Sequence, residues 1–122
     1  YCTATVKLFL AYMKAAQRKR LLHGLALKAH TSQTITDVTA LESELKKIVE
    51  DGFGLDSGEY IEGMVSISAP VIDPDGHVAM ALAIHAPSTR KSLTELRQYL
   101  PALRHAAARM AECEYEFIEA AS

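Results

Sequence analysis

The chain has 122 residues, a mass of 13.3 kDa and a formal net charge of −2, with 13 Lys and Arg against 15 Asp and Glu. This length allows one domain with a single core. The 49% of hydrophobic and 23% of charged residues argue against a disordered chain. The balanced charge also argues against a dedicated nucleic-acid-binding module, which is usually strongly basic.

Cysteine content and apolar runs indicate where the protein works. Cys2 and Cys113 are too few for a disulfide framework, which predicts reduced thiols in a cytoplasmic protein. The longest apolar run, residues 78–84, has the length of a strand and not the roughly 18–20 residues of a membrane span. We therefore expect no membrane partner. Because the first residue is Tyr1 and not Met, we expect a trimmed piece of a longer protein.

The N-terminal region is predicted to contain two short helices. Apolar spacings of 3, 1 and 3 predict a helix over residues 3–13, with Thr3 as the N-cap. Its apolar stripe consists of Val6, Phe9, Leu10 and Met13. A basic helix follows over residues 15–23, with Leu21 and Leu22 facing inward and Gly24 at its end. We interpret its basic cluster as a solvated face. That cluster consists of Lys14, Arg18, Lys19 and Arg20.

The clearest predicted helix follows a loop over residues 25–36. It spans residues 39–51, where Thr39 and Glu42 form a capping-box pattern and Gly52 ends the helix. Its apolar stripe consists of Leu41, Leu45, Ile48 and Val49.

The apolar period then changes from 3.6 to 2, which predicts strands. A short strand begins near Phe53, and two longer strands over residues 64–72 and 77–85 flank the turn at residues 73–76. If Asp73 pairs with Gly76, Ile67 lies opposite Leu82; a bulge at Gly76 would shift this register by one. We favour the unshifted register because it places all large apolar residues on one face.

The opposite face of this predicted hairpin is small and mildly polar. It consists of Met64, Ser66, Ser68, Ala81, Ala83 and His85. Such a face either packs closely against another element or forms the floor of a small-molecule pocket.

The C-terminal region is predicted to be one long helix over residues 92–120. Ser92 and Glu95 form a second capping box, and Pro101 predicts an interruption near residue 98. Its apolar stripe consists of Leu93, Leu96, Leu100, Leu103, Ala107, Met110 and Phe117.

Two stretches of the chain carry a family resemblance. Residues 52–71 read GFGLDSGEYIEGMVSISAPV. They resemble the G-Y-x-x-D-x-E-E-x-x-x-G-x-x-C/S-x-A-x-P-V stretch of IclR-type bacterial transcriptional regulators. Residues 75–90 fit the D-x-x-G-x-x-x-A-A-x-S-x-x-G-P-x-x-R stretch of that family, and residues 2–7 resemble its T-A-x-G-K helix start.

The resemblance implies an α/β (α+β) domain of GAF-like build, with an antiparallel sheet flanked by helices. It implies that residues 1–122 are a single, N-terminally truncated effector-binding domain of a regulator and not an enzyme, with no cofactor. The expected partners are a small organic, acidic effector, further copies in a homodimer or homotetramer, and operator DNA through a winged helix-turn-helix domain that precedes this sequence.

The family's effector contacts fall on seven positions by alignment of these motifs. They are Thr5, Val6, Asp56, Met64, Ser66, Ala83 and His85. Val6 replaces a usual glycine and adds bulk where the backbone would approach a ligand. Ala83 and His85 stand where serines are common, so two hydroxyl groups are lost and an imidazole is gained.

Three of these positions have competing interpretations. Asp56 either accepts from a ligand hydroxyl or orients His85, or it caps a turn through backbone N–H groups. His85 either donates to a ligand carboxylate or packs near the strand end. Our hypothesis is that Asp56, Ser66 and His85 converge on one anionic or hydroxylated molecule.

Three other functions are alternatives to effector binding at these positions. Ser66, His85 and Asp56 match a hydrolytic triad in residue type, but the sequence has no G-x-S-x-G elbow. A metal site using His85, Asp56 or Glu59 lacks ligand spacing. An oligomerisation module built on the C-terminal helix is compatible with sensing.

Overall fold

The computed structural model describes the backbone of residues 2–121 and the side chains of residues 2–113. This part of the chain forms five helices and three strands. They are α1 (Ala4–Tyr12), α2 (Ala15–His23), α3 (Val38–Asp51), β1 (Gly54–Ser57), β2 (Met64–Ile72), β3 (Val78–Pro87), α4 (Leu93–Arg97) and α5 (Leu100–Ala121). The mixed α+β class and the antiparallel sheet are as predicted. None of these described helices combines the length and apolarity needed to cross a membrane.

Helix ends follow local capping chemistry, with one correction. The Thr3 hydroxyl accepts from the Val6 N–H and starts α1 as predicted. The capping box predicted at Thr39 is wrong, because Asp37 caps α3 by accepting from Ala40 N–H at 3.0 Å. A carboxylate is a strong N-cap, so the earlier residue starts the helix. Gly52 ends α3 with φ of 77°.

The predicted long C-terminal helix is interrupted at the predicted place. Ser92 and Glu95 form the expected capping box of α4, which ends at Arg97 with Gln98 as its C-cap. Pro101 is the second residue of α5, in the first turn, where its missing N–H breaks no hydrogen bond. Of the predicted stripe, Leu96, Leu103 and Ala107 are buried and Met110 is exposed. The side chain of Phe117 lies outside the described residues.

The three strands pair antiparallel in the order β1-β2-β3, but the predicted hairpin register is wrong. Ile67 lies opposite Ile84 instead of Leu82. The turn is one residue longer than predicted, because the N–H of Asp73 bonds to the His77 carbonyl. A second extra residue, Ala79, forms a bulge in β3 between the pairs Val71–Met80 and Ile72–Val78. Because two single-residue shifts cancel in the pleat, the side chains of β3 from Met80 onward keep their predicted faces. Val78 lies between the turn and the bulge, opposite Ile72 instead of Val71, so its predicted place on the apolar face is wrong.

Both faces of the sheet are covered by helices. On one side α4 and α5 pack against the apolar residues of β2; this core comprises Phe53, Val65, Ile67, Ala69, Ala86, Leu96 and Leu103. On the other side α1 lies across all three strands. Behind α1 a second core joins it to α2 and α3; it comprises Leu8, Leu10, Ala11, Leu22, Leu41, Leu45 and Ile48.

The stripe predicted for α1 is its buried face only in part, at Leu10 and at Met13, which packs against the core. Val6 and Phe9 are exposed, whereas the buried residues of α1 are Ala4, Lys7, Leu8, Leu10 and Ala11. Leu21 of α2 and Val49 of α3 are likewise exposed, contrary to prediction. The buried face of α1 includes Ala4, which lies against Gly54 of β1, and a lysine, and a count of apolar positions does not predict either.

The predicted solvated basic face on α2 is correct for three of its four residues. Lys14, Lys19 and Arg20 are exposed. Arg18 instead donates from Nη1 to the Ala11 carbonyl at 3.2 Å, at the C-terminal end of α1.

Candidate functional site

Three of the predicted effector-contacting residues form one row across the sheet. The register places Asp56 of β1 opposite Ser66 of β2, and Ser66 opposite His85 of β3. The unshifted register would have placed Ala83 opposite Ser66 instead. Directly opposed residues of antiparallel strands have Cβ atoms about 4.5–5.5 Å apart. Ser66 is therefore the immediate neighbour of both Asp56 and His85, which lie on either side of it on the face that α1 partly covers.

Ser66 is the unusual member of this row. Its side chain is 1% exposed, and its hydroxyl oxygen has no hydrogen-bond partner among the described residues. Ser68, two residues along on the same face, is 0% exposed, but its hydroxyl lies 3.3 Å from that of Thr5 in α1. The small polar face thus serves close packing at Ser68 and leaves an unused polar group at Ser66.

Asp56 has a structural role in the row. It is 7% exposed, and its Oδ1 atom accepts from the Glu59 N–H at 2.8 Å, which caps the turn between β1 and β2. This is the turn-capping interpretation of Asp56. It uses one carboxylate oxygen and leaves the chemistry of the other open.

A buried lysine stands beside this turn. Lys7 of α1 is 0% exposed, and its ammonium lies 2.9 Å from Glu59 Oε1 and 3.3 Å from Glu44 Oε1. Burial raises the pKa of Glu59 above its ordinary value of 4.5; Lys7 opposes this rise, and the carboxylates of Asp56 and Glu44 add to it. The second carboxylate oxygen of Glu59 is buried and has no hydrogen-bond partner within residues 2–113.

The other predicted contact residues surround the row less closely. Thr5 and Ala83 are half-buried, and Ala83 lies opposite Ser68. Val6 and His85 are exposed. An exposed His85 on β3 does not fit the packed interpretation of this histidine.

Met64 lies at the start of β2, apart from the row. It lines a concavity of about 170 Å³ beside the β1–β2 turn, and none of the other six predicted residues lines it. Four larger concavities, with volumes of about 420 to 590 Å³, are also lined without Asp56, Ser66 or His85. The row therefore lies on a partly covered sheet face, outside these concavities.

Metal-ligating geometry occurs elsewhere in the described residues. Asp73, Asp75 and His77 bring ligand atoms within 4.8 Å of one another in the hairpin turn. Asp73 Oδ1 already accepts from the backbone N–H groups of Asp75 and His77, which accounts for its position. Within the described residues, Asp56, Glu59 and His85 do not bring their ligand atoms together in this way.

Sequence reasoning missed Lys7 and its carboxylate partners as parts of the site. The one available signal was a single lysine within the apolar segment ATVKLFLAY. Glu44 and Glu59 lie 37 and 52 residues away along the chain, so their convergence on Lys7 could not be read from local spacing.

Comparison with known proteins identifies the family. The family model described as "Bacterial transcriptional regulator IclR C-terminal" matches residues 1–112. The chain is 38% identical over 109 residues to the HTH-type transcriptional regulator KdgR of Escherichia coli, covering 89% of this chain and 41% of that protein. The chain thus spans less than half the length of this curated relative.

Solved structures agree in fold. The C-terminal domain of the E. coli transcriptional regulator KdgR superposes with a TM-score of 0.84 at 36% identity, covering 92% of this chain and 68% of that one. A double mutant of the PobR inducer-binding domain from Acinetobacter, in complex with 3-hydroxybenzoic acid, gives a TM-score of 0.86 at 26% identity, with 90% and 63% covered.

These relatives are named as regulators of transcription and not as enzymes, which confirms that expectation. The match to the family model extends over nearly the whole sequence, and the fold superposes on the solved KdgR C-terminal domain. The chain belongs to the IclR family of bacterial transcriptional regulators, and it corresponds to their C-terminal domain.

Proposed function

We propose that this domain senses a small organic acid, which binds on the α1-facing side of the sheet at Asp56, Ser66 and His85. The observation that carries the proposal is the Ser66 hydroxyl, which is 1% exposed and has no partner among the described residues. A buried hydroxyl without a hydrogen bond costs about 1–3 kcal/mol. A ligand that supplies the missing partner removes this cost and gains affinity.

The neighbours of Ser66 define the chemistry of the ligand. An N–H group of the His85 imidazole donates to a carboxylate, and the second oxygen of Asp56 accepts from a hydroxyl. Thr5, Val6, Met64 and Ala83 border the ligand in this proposal. The PobR domain, which has the same fold, is named as an inducer-binding domain in complex with 3-hydroxybenzoic acid, and that supports a hydroxylated acid here.

Sensing would reach DNA through a population shift. An effector that binds one arrangement of the domain more tightly favours that arrangement by its difference in affinity. In the proposed full regulator, which works in the cytoplasm as a homodimer or homotetramer, this bias reaches a winged helix-turn-helix domain on operator DNA. The regulator names of the relatives support this assignment.

A thermal-shift panel tests the proposal. The panel contains 3-hydroxybenzoic acid, pyruvate, glyoxylate and a set of sugar acids, each tested on the 122-residue chain. A ligand at about 100 times its Kd adds roughly 2.7 kcal/mol of stability, which raises Tm by several degrees in a domain of this size.

The matched variants are Asp56→Asn and His77→Ala. Asp56→Asn keeps an oxygen that accepts from the Glu59 N–H, so it preserves the turn and removes only the charge. We expect it to abolish the ligand-induced shift. His77 lies in the exposed hairpin turn, and its replacement should leave the shift intact. A panel without any stabilising compound would contradict the sensor proposal and favour an oligomerisation module.

A further inference from the structure

Lys7 is a buried charge that the proposed ligand contacts do not use. It lies on α1 directly after Thr5 and Val6, with its ammonium fully buried between Glu44 of α3 and Glu59 of the β1–β2 turn. A buried ion pair is weak support for stability, because removing charges from water costs about as much as the attraction returns. An apolar residue would fill the buried position of Lys7 on α1 equally well, so stability alone does not explain the lysine.

Glu59 connects Lys7 to the proposed ligand site. Its side chain accepts from Lys7, while its backbone N–H donates to Asp56 Oδ1 at 2.8 Å. Its carbonyl accepts from the Thr34 hydroxyl, and Thr31 donates to the neighbouring Gly58 carbonyl. The turn is therefore held from two sides, and a displacement of Glu59 displaces the carboxylate of Asp56 with it.

We infer that Lys7 is a positioning residue of the effector site: by holding Glu59 it fixes the carboxylate of Asp56 relative to Thr5 and Val6 on α1. This inference rests on the proposed function, because it assigns Lys7 a role at that same site. The charge balance supports it. Three carboxylates, those of Asp56, Glu44 and Glu59, interact around one ammonium, and burial raises the pKa of Glu59 despite Lys7. Without Lys7 these carboxylates would lose their counter-charge and separate.

Two variants separate positioning from simple packing. Lys7→Met with Glu59→Met removes both charges of the closest buried pair and keeps the apolar stems; the remaining partner, Glu44, is 30% exposed and can be solvated, so we expect the fold to be retained. Glu59→Gln keeps the shape and removes one charge, which makes it the safer variant for folding. Lys91→Met removes the lysine of an exposed ion pair and serves as the control.

The direct readout is hydrogen exchange of the amide at position 59, measured by NMR on the 122-residue chain without ligand. This amide donates to Asp56. We expect exchange to accelerate about tenfold in the double variant, and measurably in Glu59→Gln, with Tm within a few degrees of wild type. Unchanged exchange in both variants would overturn the inference, as would an equal change in Lys91→Met.

The second readout is the Kd for 3-hydroxybenzoic acid. We expect the double variant to bind at least about tenfold more weakly while it remains folded. If the wild type does not bind this probe, the proposed ligand class fails for that acid; the exchange rate at position 59 then decides whether Lys7 holds Glu59, and the Kd comparison is made with an acid that raises Tm. If exchange accelerates and affinity is unchanged, Lys7 orders the turn alone and the positioning inference is overturned.

Discussion

Ser66 and Ser68 form a natural pair for testing the buried hydroxyl. They lie on the same strand and the same face, with 1% and 0% exposure, and they differ in hydrogen bonding. The Ser68 hydroxyl pairs with Thr5 at 3.3 Å, whereas that of Ser66 has no partner among the described residues. Alanine at each position removes one oxygen atom from an equally buried site. The difference between the two variants therefore isolates the value of the hydrogen bond.

The two substitutions should have opposite signs in the ligand-free protein. Ser66→Ala removes an uncompensated hydroxyl and should raise the free energy of unfolding by about 1 kcal/mol, the lower end of the cost of such a group. Ser68→Ala removes a hydrogen bond and should lower the free energy of unfolding by about 1 kcal/mol. In a domain of this size each change corresponds to a Tm shift of roughly 3–6 °C.

Urea unfolding followed by circular dichroism measures both free energies. An unchanged slope against urea would show that the unfolded states are comparable. If Ser66→Ala lowers stability as much as Ser68→Ala, the Ser66 hydroxyl has a partner in the free protein. The reasoning that leaves it available for a ligand would then be refuted.

The remaining predictions concern backbone packing and pH. Gly54→Ala should lower the free energy of unfolding by about 1–3 kcal/mol in urea, because a Cβ there would lie 2.8 Å from the Ala4 carbonyl oxygen, a backbone atom. Gly24→Ala should have little effect, because the nearest atom to its Cβ would be the Leu21 carbonyl oxygen at 3.8 Å. The pKa of Glu59 is raised by burial, so its contribution to stability falls as pH rises from 4.5 through the raised pKa. The pKa of Glu95 is lowered by hydrogen bonds from Ser92, so its contribution is present above 4.5 and is lost as pH falls through the lowered pKa. Glu59→Gln and Glu95→Gln should each remove one of these slopes in unfolding measured between pH 3 and 7; identical pH profiles for both variants would contradict the assignment.

Local signals predicted the elements well. The boundaries of β2 agree with the sequence pattern, because the alternation between residues 64 and 72 determines which side chains of the strand face the core. Ser92 with Glu95 marks the start of α4, and Pro101 limits the start of α5, since both act within one turn of helix. The faces of the hairpin residues beyond the bulge, from Met80 onward in β3, were also predictable, because the pleat has a period of two.

Features that depend on distant parts of the chain were not predictable. The register of β3 depends on the bulge at Ala79, which leaves no mark in the alternating pattern. The buried face of α1 contains Lys7, whose burial requires carboxylates from α3 and the β1–β2 turn. The row of Asp56, Ser66 and His85 was expected to converge, but its alignment follows from the observed register and not from the predicted one.

The central claim is that a small acid binds on the α1-facing side of the sheet. The most direct measurement is a two-dimensional amide NMR titration of the isotope-labelled chain with 3-hydroxybenzoic acid and then with each acid that raises Tm. We expect saturable changes in amide chemical shift that are largest at Asp56, Ser66 and His85. Shifts confined to the groove between α2 and α3, around His23 and Val38, or the absence of saturable shifts with every acid, would contradict it.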